Sequence, residues 1–307
     1  MFQLVNLKAG HPCIQLPTYQ ITHLPNCTPY NALVPEDYLP RRVASLQPSI
    51  TVTLRDLGLL DRLAACTKYC LDVCPELEHM SCVIVQDSWT AKAGQILAVH
   101  PDLVIASVPY QVEALTEIMK CGIPFLGLSP RSLKDVFHDI AAIAAIMGAA
   151  GRGLALVEQM QQQIEAVQKK LADAPRPLVY CEEWGKPLLH SQPWVAELVE
   201  AAGGKFLGEP GKQTTPEEVL SSNPEVIIAA WCGAGDRVPL EKIIPQRGWE
   251  QTRAAKSAQV YCINDEFLNT PATTLLHGLN ALAAAIHPET FSVEKGLRRI
   301  KTVMMAE

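Results

Sequence analysis

The chain is short of aromatics, of any one sign of charge and of apolar runs near its beginning. Thirty-two Asp and Glu stand against 26 Lys and Arg, a net charge of −6 over 307 residues. A nucleic-acid surface needs a basic face, and no charge block is long enough to form an interaction tail, so nucleic acid is excluded as a partner. Residues 1–10 hold one lysine and no apolar run of signal-peptide length, and neither an Ala-x-Ala site nor a Leu-x-Gly-Cys lipobox comes after them. Pro12, Pro17, Pro25, Pro29, Pro35 and Pro40 interrupt the next stretch, which excludes a membrane-spanning helix there. The expectation is a cytoplasmic protein without membrane insertion, with periplasmic residence as the alternative should a signal peptide have been removed.

Catalytic signatures are missing too. Gly-x-Ser-x-Gly and the Walker A loop do not occur, and Ala234-Gly-Asp-Arg237 lacks the glycine pattern and lysine of a phosphate loop. Glu182 and Glu183 are adjacent, so on a strand they point to opposite faces and make no carboxylate pair. No enzyme is expected, and no repeat of solenoid period is present.

What is present is an ordinary globular composition, 48% hydrophobic and 19% charged, in a chain long enough for two lobes. Ten cysteines are scattered rather than set in a short, even framework. Cys66, Cys181 and Cys262 fall in apolar strands, where a thiol behaves as a small hydrophobe. So many unpaired thiols point to a cysteine-rich protein of a reducing compartment.

Residues 1–40 read as a Pro-rich extension strapped over a first lobe. Residues 41–130 alternate strands (Val43–Leu46, Leu63–Thr67, Val83–Gln86, Leu103–Ser107, Phe125–Leu128) with helices, including Ala91–Val99 and Gln111–Lys120. Ser49 is the expected cap of the first helix and Gly58 its stop. Residues 131–174 carry two linking helices with Val136, Ile140, Ile143 and Met147 on one face, then Leu154, Val157, Met160, Ile164, Val167 and Leu171. The second, from Gly153 to Ala172, spans ~30 Å and is long enough to bridge two lobes. Residues 175–307 repeat the βα alternation, with strands Leu178–Cys181, Val226–Ala230 and Gln259–Ile263 and an apolar helix Thr274–Ile286. A final basic helix, Ser292–Met304, is expected to present a solvated face. The fold class is therefore α/β: two Rossmann-like lobes with parallel sheets, joined by a long backbone helix.

Trp89, Trp184, Trp194 and Trp231 fall at strand ends or helix starts, which border the interlobe cleft in such an architecture. Tryptophan offers broad apolar walls to a large flat ligand at little cost in rotamer entropy. Tyr69, Asp236 and Phe267 complete the expected ligand set, and Trp249 is assigned to packing. Cys70 and Cys232 each come directly after a strand, one per lobe, and two facing thiolates would suit a soft or borderline metal. Cys66, Cys70 and Cys74 are spaced by four, but Leu63–Thr67 reads as a strand and Pro75 comes directly after Cys74, which argues against a shared helix face, and the spacing matches no zinc or iron–sulfur string. His11, Cys13, His23 and Cys27 make loose His–Cys pairs that read better as coincidence than as a zinc loop.

Particular stretches then carry a family resemblance across residues 41–290. Arg42-Val-Ala-Ser-Leu-Gln-Pro-Ser-Ile-Thr51 with Leu54-Arg-Asp-Leu-Gly58, Pro101-Asp-Leu-Val-Ile-Ala106, Cys121-Gly-Ile-Pro-Phe125, Ala202-Gly-Gly204 and Asn223-Pro-Glu-Val-Ile-Ile228 occur in order. Together they resemble the class III (cluster A) substrate-binding proteins, which carry cobalamin, haem and iron–siderophores to ABC importers. Tyr69-Cys70, Glu183-Trp184, Trp194-Val-Ala-Glu197, Cys232-Gly233 and His287-Pro-Glu289 are similar to a cobalamin-binding-like subgroup that often lacks export signals. The resemblance implies the class III fold and non-catalytic binding of a cobalamin-like corrinoid or other metal chelate in the interlobe cleft. The alternative is a cytoplasmic metal-handling or redox protein using Cys70 and Cys232. Three places depart from the pattern. Gly94 stands where the importers carry a permease-docking glutamate, which makes docking to an ABC permease doubtful. Gln192-Pro193-Trp194 replaces Gly-His-Trp, and Thr270-Pro-Ala-Thr273 replaces Pro-Gly-Pro-Arg, which puts a copied ligand in doubt.

Overall fold

Short apolar runs build the first sheet, and its central strands are covered on both faces. The computed structural model describes residue 37, residues 39–292 and residues 295–301; the Pro-rich extension and its His–Cys pairs thus lie almost wholly outside the described residues. Strand β1 (Val43–Ser45) leads into helix α1 (Pro48–Asp56), β2 (Leu63–Thr67) into α2 (Lys68–Val73), and β3 (Val83–Val85) into α3 (Ala93–Ala98). Strand β4 (Leu103–Ser107), helix α4 (Val112–Lys120) and β5 (Phe125–Leu128) complete the unit. All pairings are parallel, in the order β3-β2-β1-β4-β5, with Val43 opposite Leu63 on one side and Leu103 on the other. β1 and β4 are buried along their whole length, whereas Val83 and Ile84 on the edge strand β3 are exposed.

Two local expectations change. Gln47, not Ser49, is the N-cap of α1, because Pro48 takes the first helical position, where its missing N–H costs nothing. Gly58 does close that helix, at φ +65°. Cys66 stays in β2 as expected, so the three cysteines share no helix face, but the stretch Lys68–Val73 that holds Cys70 is helical. Thr67 and Cys70 form a reciprocal capping box at the start of α2, and Pro75 opens a separate 3-10 turn, Pro75–His79, instead of breaking the helix.

Helices α5 (Leu133–Ile146) and α6 (Ala150–Lys170) come next. The Ser132 hydroxyl accepts from the Asp135 N–H to cap α5, and Gly148 at φ +72° makes the turn between the two. At 21 residues, α6 runs ~30 Å.

The second sheet is mixed. Strands β6 (Leu178–Gly185) and β7 (Leu188–His190) form a hairpin, then come α7 (Pro193–Ala201), β8 (Lys205–Phe206), β9 (Gln213–Thr214) and α8 (Pro216–Ser222). Strand β10 (Val226–Ala229), helices α9 (Leu240–Gln246) and α10 (Arg253–Lys256), β11 (Val260–Ile263), α11 (Glu266–Asn269), α12 (Leu275–Ile286) and β12 (Leu297–Arg299) finish the described chain. The order is β12-β11-β10-β6-β7-β9, with β8 also on β6; β8, β6, β10 and β11 are parallel to one another. Where a basic helix is expected, Leu297–Arg299 instead pairs antiparallel with β11. Arg298, partly buried, donates to the Asp236 and Val238 carbonyls, and Arg299, which stays exposed as expected, donates to those of Ser257 and Ala258. These bonds to loop carbonyls hold the segment extended against the sheet. Cys66, Cys181 and Cys262 are buried in their strands, as small hydrophobes.

Candidate ligand-binding cleft

In open α/β sheets ligands bind outside the carboxyl ends of the strands, so the residues just past each parallel strand form the site. In the first lobe Ser88 ties three of these loops together. Its hydroxyl accepts from Gln47 Nε2 at 2.6 Å and reaches the carbonyls of Ser107 (2.7 Å) and Pro109 (3.1 Å), while its N–H meets the Leu46 carbonyl at 3.2 Å. The neighbouring Asp87 carboxylate accepts from the N–H groups of Trp89 and Thr90 and from the Thr90 hydroxyl. This turn presents Trp89, 43% exposed; Tyr69, also 43% exposed, lies just beyond β2 with Lys68 Nζ 4.8 Å from its ring centre.

In the second lobe Trp184 at the end of β6 is 46% exposed, its indole donating to the Lys186 carbonyl at 2.9 Å. Trp231 and Cys232 continue the line of β10, with the Cys232 N–H bonded to the Glu183 carbonyl at 3.2 Å. Asp265, just after β11, pins the loop beyond β10 by accepting from Gly233 N (2.8 Å) and Gly235 N (2.7 Å). Those glycines sit at φ +76° and +60°, a region that a side chain would strain. Asp236 is exposed on this loop.

Asp72 of α2 stands near enough to Asp265 and Glu266 of the other lobe for its charge to act on both. Burial, with the charges of Asp265 and Asp72, pushes the Glu266 carboxyl up to about 7. Burial also raises Asp265 and Glu183, the latter despite hydrogen bonds from Gln192 and Cys232 that pull the other way. The lobes are further joined by the Thr273 hydroxyl, which donates to the Asp56 carboxylate, and by Ala272, which is buried in the first lobe's core.

Three expected site residues are placed elsewhere or otherwise engaged. Trp194 is 5% exposed in the second lobe's core, and its indole N–H is spent on the Leu268 carbonyl at 2.9 Å. Phe267 is half-buried, 5.2 Å from the His277 ring and against Gly296. Cys70 is fully buried; its sulfur accepts from Thr51 Oγ1 at 3.2 Å and from Thr67 N at 3.4 Å. Sealed in that way, Cys70 does not open onto the cleft to face Cys232. Burial holds the Cys70 thiol well above its ordinary range; partial desolvation and the neighbouring Glu183 and Asp265 carboxylates raise that of Cys232, which is itself exposed, so neither is a ready thiolate in the free protein. Among the described residues no group of three or more His, Cys, Asp and Glu is placed to hold a metal ion. Trp249 is fully buried, in keeping with a packing role.

Sequence reasoning misses the Ser88 hub, Asp265 and the surroundings of Glu182. Ser88 and Asp265 had a signal, since each lies just past a strand at a carboxyl edge. A separate groove of about 730 Å³ beside α6 and α7, lined by Ile164, Leu171, Arg176, Glu200 and Phe206, shares none of these residues.

A sequence profile described as Periplasmic binding protein matches residues 43–267. The chain belongs to that family. It is 23% identical over 269 residues to an uncharacterized ABC transporter substrate-binding lipoprotein of Bacillus subtilis, covering 82% of each chain. It is 22% identical over 272 residues to a cobalamin-binding protein of Halobacterium salinarum, covering 85% of this chain and 73% of the other. The fold superposes on a periplasmic heme binding protein from Pseudomonas aeruginosa with a TM-score of 0.75 at 21% identity, covering 86% and 99% of the chains. The fold is thus the class III arrangement expected, and the family is one of solute-binding proteins.

These relatives overturn the expected cytoplasmic location. They are named as a lipoprotein and as a periplasmic protein, which points to an extracytoplasmic place. The number of thiols misleads for a physical reason: Cys66, Cys70, Cys74, Cys181 and Cys262 are buried, so they do not report the redox state outside. The same names weigh against the doubt about a permease drawn from Gly94, which lies on α3 with open space around it.

Proposed function

We propose that this chain is the solute-binding component of an ABC importer, holding a cobalamin-like corrinoid or a related flat metal chelate between its lobes. The observation that supports this best is the set of half-exposed aromatics at strand ends, Tyr69, Trp89 and Trp184, with the partly buried Trp231 just past the end of β10. Exposed rings carried on both lobes are costly to leave in water and suit a broad apolar ligand. Cys232, Asp236 and the Glu266 carboxylate would supply polar contacts around such a ligand. A cobalamin-binding relative at 22% identity favours the corrinoid within this class.

The test is a titration of the purified protein with cyanocobalamin, haemin and a ferric siderophore, monitored by tryptophan fluorescence and by melting temperature. One of the three is expected to quench the fluorescence and to raise the melting temperature, by about 2.7 kcal/mol of added stability at a hundredfold excess over Kd. No response to any of them would remove the reading.

A further inference from the structure

The buried pair Glu182–Arg247 has no counterpart among the exposed groups of the cleft, and it sits directly behind Trp231. Glu182 is 1% exposed on β6. Arg247, in the turn after α9, bonds it in a two-pronged fashion, Nη1 to Oε2 at 2.8 Å and Nη2 to Oε1 at 3.0 Å. The Tyr180 hydroxyl donates to Oε2 at 2.7 Å. The fourth bond is the informative one: the Trp231 indole N–H donates to Glu182 Oε1 at 2.6 Å.

Two further contacts hold the same ring. A Cβ on Gly185 would stand 2.3 Å from the Trp231 indole, so the ring rests against bare backbone that only glycine provides. The Arg247 guanidinium lies 5.8 Å from the Trp231 ring centre and 4.7 Å from that of buried Trp249, and its Nη2 also reaches the Gly185 carbonyl at 3.3 Å. Trp231 is therefore anchored at its nitrogen, supported on one side by a strand and flanked by a cation that is itself fixed. Trp184 has a single carbonyl bond and Trp89 only a backbone one.

We infer that Glu182, Arg247 and Gly185 are positioning residues that hold Trp231 as a rigid, pre-set wall of the ligand cleft. This rests on the proposed binding site, and it assigns a role to a charge pair that touches no ligand. A ring already fixed loses no rotamer freedom on binding, and affinity gains by that amount. A wall that is in place only a tenth of the time weakens apparent binding about tenfold.

The first measurement needs no ligand. In wild-type protein labelled with ¹⁵N, the indole resonance that disappears in Trp231→Phe is expected to lie downfield and to exchange slowly with solvent. In Gly185→Ala, which leaves the ion pair intact, and in Glu182→Gln, that resonance should move upfield and exchange faster, at unchanged circular dichroism. In both variants the Kd for cyanocobalamin is expected to rise about tenfold. A fast-exchanging indole in the wild type, or variants that leave both resonance and Kd unmoved, would overturn the positioning role. If no ligand binds even the wild type, the cleft reading fails while the resonance still decides whether Trp231 is held.

Discussion

Glu266 stands in the wrong environment for a charge, half-buried beside Asp265 and within the influence of Asp72. Its carboxyl titrates at about 7 in the folded protein against an ordinary value of 4.5. Below the lower value both folded and unfolded forms are protonated and the residue is neutral to stability. Between the two, the unfolded chain ionises first, so stability falls as pH rises and levels off above about 7. The difference in melting temperature between wild type and Glu266→Gln should therefore widen across that window, with the variant more stable at the alkaline end. A flat difference would place the side chain in open water. Ser88 and Asp265 act on this scale too, as hydrogen-bond hubs that fix loops rather than touch a solute. Neither stands out in sequence, because a hub is defined by what converges on it from distant strands.

At the scale of elements, α5 and α6 pack through Gly153. A Cβ there would lie 2.3 Å from the Ala144 side chain, whereas at Gly151 it would meet nothing within 4 Å. Gly153→Ala is expected to force the helices apart at a cost of about 1–3 kcal/mol. Gly151→Ala should gain roughly 0.5–1 kcal/mol from helix propensity. Urea denaturation of the pair of variants checks both, and equal midpoints would deny the close approach. The central strands of the first sheet were legible because they are short apolar runs buried on both faces, and the long helix because apolar residues recur at helical spacing along one side. Helix α2 was not, since Pro75 reads as a breaker until it is seen to open its own turn. The stretch near the end of the chain misled in the opposite direction: Arg298 and Arg299 look like a helical basic face, whereas their backbone pairs with β11 and their side chains bind loop carbonyls. Aromatic placement was half legible. Trp89 and Trp184 lie at strand ends and stay at the surface, Trp231 is partly buried against its own lobe's core, and Trp194, at a helix start, turns inward to Leu268.

For the molecule as a whole, three things tie the lobes: α6, the Thr273–Asp56 bond, and Ala272 packed into the first lobe's core. Thr273→Val keeps the shape and deletes the hydroxyl that Asp56 accepts from. It is expected to leave circular dichroism unchanged and to lower stability by about 0.5–1.5 kcal/mol, more if the carboxylate is left unsatisfied. An unchanged denaturation midpoint would mean that the lobes do not make this contact in solution. The placement of Ala272 in the first lobe's core also has a bearing on how the chain is made. Synthesis delivers residues 43–128 early, yet one of the side chains that fills their interior emerges from the ribosome some 150 residues later. The first half of the molecule therefore cannot reach its final packing by itself. A nascent chain stays incompletely consolidated until nearly all of it is available.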